Sequence, residues 1–475
     1  MAEKSSKTMQ IVATMAGNLF LVAVGTMMGW SSPILPKLQV DPIADDNPLG
    51  IVVSSEQGSW IGSLVAFGAI FGSIIAGVLG EKYGRKRALL LGAVPSVVGW
   101  ILIGTATSIY QIYVARASFG LSVGLAFTVL PMYVGEIAEK SIRGTLSSLI
   151  QFFVAVGLLY AYSIGPYISY TLFWILCILI PILFFVSFVT MPESPYYLLI
   201  KGRNEEASQS LARLRGQSTA GVQKEIDELQ VIIEEAYRNQ GSYVDLFRVV
   251  ANRKALIMTC ALMFFQQFTG INVVNFYAES IFRSTGTDLS GSISTIIISS
   301  VQLLSSIVTP LLADRLGRKI LLISSGVGSA LTLSALGLFF YMKNVMNMDV
   351  SDLSWLPVVS IVIYMAVYTI GWGPLPWTVM GEMFASDVKS KASGISSCFC
   401  WSLGFLITKF FTNIETAFGT HSAFWMFGVC SLFSAVFVLT ILPETKGKSL
   451  QEIQDELSGV RSSHLSQDAS SSTKK

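Results

Sequence analysis

Charge is what this chain has least of. Asp, Glu, Lys and Arg make up 13% of its residues against 52% hydrophobic, and its mean hydropathy is +0.60. Soluble domains carry about a quarter charged residues, so an ordinary water-exposed surface cannot be built from this composition. Cysteine is sparse too: Cys177, Cys260, Cys398, Cys400 and Cys430 all fall within apolar blocks. No zinc or redox spacing links them, which reads as buried small hydrophobes rather than disulfides or metal ligands. The histidines, His421 and His464, stand apart from the polar residues of the apolar blocks, and no nucleophile lies beside a base. An enzyme is therefore not expected, nor a cofactor. No Lys/Arg-rich tract occurs and the net charge is only +2, which gives no reason to invoke nucleic acid; no obligate protein partner is evident. No Asn-x-Ser/Thr sequon is present, so N-glycosylation is not expected.

What the chain has in quantity is apolar blocks about 20 residues long, the length a helix needs to cross about 30 Å of hydrocarbon. Lipid satisfies no backbone hydrogen bond, so such blocks span as helices. The blocks predict twelve spans at 11–35, 57–79, 88–107, 111–133, 144–165, 170–190, 255–282, 292–313, 320–342, 354–380, 392–413 and 422–442. The first has no small-residue cleavage site and reads as a retained span. The expected fold class is an all-α membrane protein of two six-helix units: 1–190, a linker at 191–254, 255–442, and a tail at 443–475. In the linker, Glu225, Asp227, Glu228, Glu234 and Glu235 alternate with Leu229, Val231, Ile232 and Ile233, which predicts short amphipathic helices at a membrane face. The tail from Gly459 is serine-rich and offers little signalling surface for a receptor.

Basic residues are distributed unevenly among the loops. Lys82, Arg85, Lys86, Arg87, Arg143, Arg315, Arg318 and Lys319 follow even-numbered spans, whereas Lys37, Arg283, Lys343 and Lys409 lie on the other side. The positive-inside rule makes the first set, the linker and both termini cytoplasmic. An internal repeat is also visible. Gly84-Arg85-Lys86 recurs as Gly317-Arg318-Lys319, Gly135-Glu136 with Arg143 recurs as Gly381-Glu382 with Lys389, and Pro192-Glu193-Ser194 recurs as Pro443-Glu444-Thr445. One six-helix unit has thus been duplicated in parallel, which places a substrate near the midplane between the halves.

Three groups of residues carry candidate chemistry. Glu81, Arg85, Glu136, Arg143, Asp314, Arg315, Arg318, Glu382 and Lys389 either set topology alone or form a cytoplasmic charge latch between two conformations. Polar residues inside apolar spans are the second group: Gln151, Gln266, Gln267, Asn272, Asn275 and Gln302. Amides donate and accept together and suit sugar hydroxyls, although bonding between helices is the alternative use. The third group is Gly371-Trp372-Gly373-Pro374-Leu375-Pro376-Trp377 together with Trp401. Paired prolines permit a break where a cavity is lined, and an indole face stacks on a pyranose ring or packs in the core.

These residues resemble the sugar-porter family of the major facilitator superfamily over about residues 11–455. The resemblance rests on Arg116, Pro131-Met132-Tyr133-Val134-Gly135-Glu136-Ile137, Arg143-Gly144, Pro192-Glu193-Ser194-Pro195, Gln266-Gln267-Phe268-Thr269-Gly270-Ile271-Asn272, Gly373-Pro374-Leu375-Pro376-Trp377 and Pro443-Glu444-Thr445-Lys446-Gly447. The pattern is most similar to insect facilitated trehalose transporters and hexose carriers. It implies sugar contact at Gln151, Gln266, Gln267, Asn272, Gln302, Trp377 and Trp401, and transport by alternating access across the plasma membrane. Proton-coupled relatives carry an acid in the first span close to the arginine matching Arg116; here Ser31 stands in its place, which implies a passive uniporter. Arg116 is expected to be a fixed charge held by hydroxyls, carbonyls or water, or else to snorkel to the interface. The chain departs from the family pattern at Tyr196 and Lys389, where arginine is usual, and at Cys400 and Gly404, where hexose carriers have amides. The last two free volume compatible with a disaccharide.

Overall fold

The computed structural model describes residues 6–43, 45–139, 141–238, 242–285, 290–384, 388–448 and 450–458. The serine-rich tail lies outside them. Among the described residues there are helices and no strands. Twelve helical spans are long and apolar enough to cross a membrane. Spans 1–6 are Thr8–Leu38, Ser55–Tyr83, Arg85–Gly104, Ile109–Ile137, Arg143–Ile164 and Tyr170–Phe188. Spans 7–12 are Val250–Arg283, Gly291–Ala313, Arg318–Asn344, Ser351–Met383, Lys391–Phe418 and Thr420–Thr440. An even number of crossings returns the chain to its starting face, called here the termini side; the opposite face is the far side.

Local chemistry sets where the spans begin. Ser54 and Gln57 form a reciprocal capping box that starts span 2 on the far side, and Ser169 and Ser290 cap the helices of spans 6 and 8. On the termini side, Gly84 and Gly317 take φ of +98° and +91° between spans 2 and 3 and spans 8 and 9. An L side chain rarely adopts that geometry.

Packing inside the bundle relies on small residues. Spans 1 and 5 meet at Gly25 and Gly157, and spans 2 and 4 at Gly68 and Gly120; a Cβ at any of the four would collide with backbone of the facing span. Close approach of this kind replaces the hydrophobic drive that lipid does not supply. Outward faces are apolar and open: Val78, Val186, Leu304, Leu331 and Phe433 are each more than 60% exposed. Water would not tolerate such a continuous band, whereas lipid tails do.

The linker between spans 6 and 7 folds into helices Pro195–Ile200, Asn204–Arg215, Gln223–Arg238 and Asp245–Arg248. Its apolar residues do not all face a membrane as the amphipathic pattern suggests: Ile226 and Ile233 bury against Tyr197, Ala207 and Leu211 in a small separate core, while Val231 and Ile232 stay exposed. The buried Arg215 fastens this unit to the end of span 4, with Nη1 donating to Ile137 O at 2.9 Å and Nη2 to Glu225 at 2.7 Å.

Candidate substrate site

Two spans of the second half are broken at the level of the predicted amides. Span 7 runs as Val250–Phe268 and Ile271–Thr285, interrupted at Thr269 and Gly270. Gly270 has φ +83°, and a Cβ there would lie 2.6 Å from the Phe427 ring, so glycine is required on both counts. Span 10 runs as Leu356–Ile370 and Leu375–Met383, with Gly371 to Pro374 between. A break of this kind frees backbone carbonyls that lipid cannot satisfy.

Gln266 supplies the missing donors. Its Nε2 donates to Trp372 O at 2.9 Å and Gly373 O at 2.8 Å. Both neighbours are carbonyls that only accept, so the orientation of the amide is fixed. Its two donor hydrogens are thus consumed within the protein, leaving Oε1 as an acceptor. Asn272, at the start of the second segment of span 7, donates from Nδ2 to Gln267 Oε1 at 2.6 Å, and Gln267 Nε2 donates to Cys400 Sγ at 3.0 Å. The Cys400 thiol in turn lies 3.6 Å from Gln266 Oε1. Gly404, one turn along, lets the amides pack closely against span 11: a Cβ there would lie 3.0 Å from Asn272 Nδ2 and 3.2 Å from Gln267 Oε1.

The structure therefore joins three of the seven residues expected at a sugar site and adds Cys400. Trp401 follows Cys400, is 6% exposed, lies with its ring tilted 5.9 Å from that of Phe127 of the first half and leaves Nε1 without a partner. Gln302 is buried on span 8 with Oε1 unpartnered, and so is Oδ1 of Asn275. Gln151 and Trp377 are partly buried, and among the described residues neither makes a side-chain hydrogen bond to the amide chain. Trp372, quoted only as part of the motif, is fully buried and its Nε1 donates to Leu322 O at 3.0 Å, so it anchors span 10 to span 9.

The predicted single latch across both halves resolves into two clusters, one in each half. In the first, Arg85 forks onto Glu136 at 2.8–3.0 Å and donates to Gly80 O, while Ser194 donates to the same carboxylate. In the second, Arg318 reaches Glu382 at 3.0 Å, and Thr445 donates to Glu382 at 2.6 Å. Neighbouring span ends within one half lie close enough for these bonds. Arg143 instead donates to Ala138 O, the Arg315 carbonyl accepts from Lys446, and Glu81 is exposed. Lys389 is exposed just before the start of span 11. The Asp314 side chain lies outside the described residues.

Two carboxylates were visible only as repeats and belong to these clusters. Glu193 accepts from Lys86 N at 3.0 Å and Ser194 N at 2.8 Å; Glu444 accepts from Arg318 N, Lys319 N and Lys446 N at 2.9–3.1 Å. Each caps the N-terminus of the span that follows the glycine turn, and a Cβ on Gly84 or Gly317 would run into it. Burial pushes the Glu193 carboxyl above its ordinary value despite those donors. Burial acts on Glu444 as well, but the backbone N–H groups outweigh it and hold that carboxyl below its ordinary value.

On the far side, bonds cross between the halves. Tyr162 Oη donates to Asn275 O at 2.5 Å, Ser31 Oγ to Phe276 O at 3.4 Å, and Glu279 N to Ser32 Oγ at 3.2 Å. Arg116 does not snorkel: it is fully buried, donates to Ile61 O and Met27 O, and lies 5.6 Å from the Trp30 ring. Span 1 has no acid to offer it, but the fold brings a buried acid, Glu279 of span 7, against that span. Glu279 is paired with Arg283 at 2.9 Å, accepts from Ser292 at 3.2 Å and leaves Oε2 unpartnered.

Twelve spans, with spans 7 and 10 broken around a neutral amide chain and a charge cluster in each half, define a multi-pass membrane protein with the major facilitator fold. The chain belongs to the sugar (and other) transporter family, whose model matches residues 6–457. A facilitated trehalose transporter of Polypedilum vanderplanki is 38% identical over 95% of this chain and 88% of its own length; one from Culex quinquefasciatus is 36% identical over 95% and 86%. The chain spans 56% of the length of a 36% identical relative of the same description from Anopheles gambiae, again over 95% of this chain. Among solved structures, a proton:xylose symporter bound to 6-bromo-6-deoxy-D-glucose has a TM-score of 0.76 at 24% identity, over 95% of this chain and 99% of that one.

Proposed function

We propose that this protein is a facilitative carrier that moves trehalose or a related sugar across the plasma membrane by alternating access, with both termini and the linker in the cytoplasm. The observation that carries the reading is the buried chain Asn272–Gln267–Cys400–Gln266 at the meeting of two broken spans. It offers neutral donors and acceptors and no charge, as a polyol requires. The unpartnered polar atoms of Gln302, Asn275 and Trp401 add further hydrogen-bonding capacity in the same half, with Gln151 and Trp377 proposed to complete the site. A disaccharide is favoured over a hexose by the absence of a side chain at Gly404, where hexose carriers have an amide, and by the description carried by the insect relatives.

Bonds between halves on the far side, with charge clusters closed inside each half on the termini side, support a carrier open toward the termini. The two clusters are proposed to trade partners when the termini side closes. Concentration of basic residues there supports its assignment to the cytoplasm. Uniport is supported by Arg116, whose hydrogen bonds go to two carbonyls. Radiolabelled trehalose and glucose uptake in oocytes expressing the chain tests the reading: saturable trehalose uptake is expected, and no sugar uptake above uninjected cells refutes it.

A further inference from the structure

We infer that Lys409 and Glu56 form the far-side gate of this carrier, an ion pair between the halves that must break each time that face opens. Lys409 sits in span 11, where a lysine is costly unless partnered, and is 6% exposed. Its three partners all belong to the first turns of span 2. Nζ lies 2.6 Å from Glu56 Oε1, 2.8 Å from Ser59 Oγ and 4.7 Å from the centroid of the Trp60 ring. The capping box at Ser54 and Gln57 holds this helix start rigid. The acceptors are therefore preorganised, and movement of one half away from the other removes all three together.

The seam continues inward from the pair. Phe405, one turn below Lys409, lies 6.2 Å from Trp60 and 5.4 Å from Phe67. Gly62 permits the approach of the halves, since a Cβ there would lie 2.8 Å from Tyr277 Oη. The charge clusters on the termini side cannot do this work in the present conformation, because each is closed within its own half. Glu56 keeps 61% of its side chain exposed, so water screens the pair on one side. Its removal is expected to change the population of the far-side-open state by about fivefold rather than by hundreds.

The inference rests on the alternating-access reading, but its test requires no transport. In purified full-length protein in nanodiscs, Ser63→Cys places a thiol one turn inside Ser59, at a position now fully buried. Its rate of modification by a charged methanethiosulfonate is measured against the chain without that cysteine. Glu56→Gln and Lys409→Met are each expected to raise the rate about fivefold. The double variant should add nothing further, and the charge exchange Glu56→Lys with Lys409→Glu should return the rate toward the parent. Glu56→Gln alters an exposed side chain and is expected to preserve folding, so it keeps the test decisive if Lys409→Met is unstable. An unchanged rate in Glu56→Gln, or additive gains in the double variant, overturns the gate. Absence of sugar uptake by the parent would overturn the carrier reading and leave this measurement standing.

Discussion

Removing the amide of Gln266 should damage two things at once, the sugar site and the break in span 10. Gln266→Leu fills similar volume but strands the carbonyls of Trp372 and Gly373, which now accept at 2.9 and 2.8 Å. A buried group left unsatisfied costs about 1–3 kcal/mol. With two such groups at the low end, the junction loses about 2 kcal/mol, roughly thirtyfold in an equilibrium. Gln266→Glu keeps the size and removes at least one of the two donors: ionised it donates none, protonated only one. Asn272→Ala is the comparator: it loses one donor to Gln267, which Cys400 still holds, and costs about 1 kcal/mol.

Sugar uptake at matched surface expression and the thermal midpoint of purified protein report the two effects separately. Both Gln266 variants are expected to lose uptake strongly and to melt lower than the parent. Asn272→Ala should lose uptake several-fold with little change in melting. A Gln266→Glu protein that melts and transports like the parent would refute the claim that this amide satisfies the broken span. Loss of uptake with unchanged melting in both Gln266 variants would make it a ligand contact only.

Four further outcomes are expected. Gly404→Asn should press a side chain against Asn272 and Gln267 and lower trehalose uptake more than glucose uptake; equal losses would remove Gly404 from substrate selection. Glu193 and Glu444 should respond to pH with opposite signs. The raised pKa of Glu193 means its contribution falls as pH rises through that value, whereas the lowered pKa of Glu444 gives a contribution present at neutrality and lost on acidification. Glu444→Gln should thus cost more thermal stability than Glu193→Gln at pH 7, and the gap should narrow near pH 4; the reverse order would contradict the burial argument. In voltage-clamped oocytes sugar should evoke no inward current at pH 5.5, and a current abolished by Glu279→Gln would make that buried acid a proton carrier and end the uniport reading. Cysteine placed at Gln223 should resist impermeant thiol reagents in intact cells, and ready labelling there would invert the topology.

Periodicity and block length were enough to reveal the twelve spans, because the bilayer fixes helix length and leaves composition little freedom. The repeat also marked Glu193 and Glu444, but their role was hidden: they cap helices that begin 107 and 126 residues away in sequence from the acceptor. Hydrogen bonds of that separation leave no periodic trace. The same holds for Gln266, whose partners lie 106 and 107 residues on. A polar residue in an apolar span announces that it has a partner, not whether the partner is ligand or backbone. Glu279 shows the other limit. Reading span 1 alone removed every acid from the neighbourhood of Ser31, yet the fold delivers one from span 7 to hydrogen-bond Ser32 through its backbone.

Duplication has been preserved unequally in this molecule, and the pattern separates motion from recognition. Both halves keep the glycine turn, an arginine–glutamate pair, the hydroxyl on the carboxylate and the capping glutamate. Under the proposed alternating access, a device that works as two halves rock gains from two similar copies. The amides are different. Span 1 is the first-half counterpart of span 7 and is interrupted at Trp30, yet it places Met27, Met28, Gly29 and Trp30 at its break rather than glutamine and asparagine. Satisfying carbonyls of a broken span 10 demands donors from span 7 alone. The second half therefore carries the polar chain, while the first presents apolar surface such as Phe127 against Trp401. Under the proposed function, moving the amides to the first half should cost recognition without disturbing the switch, whereas disabling either charge cluster should slow exchange between faces without altering which sugar is chosen.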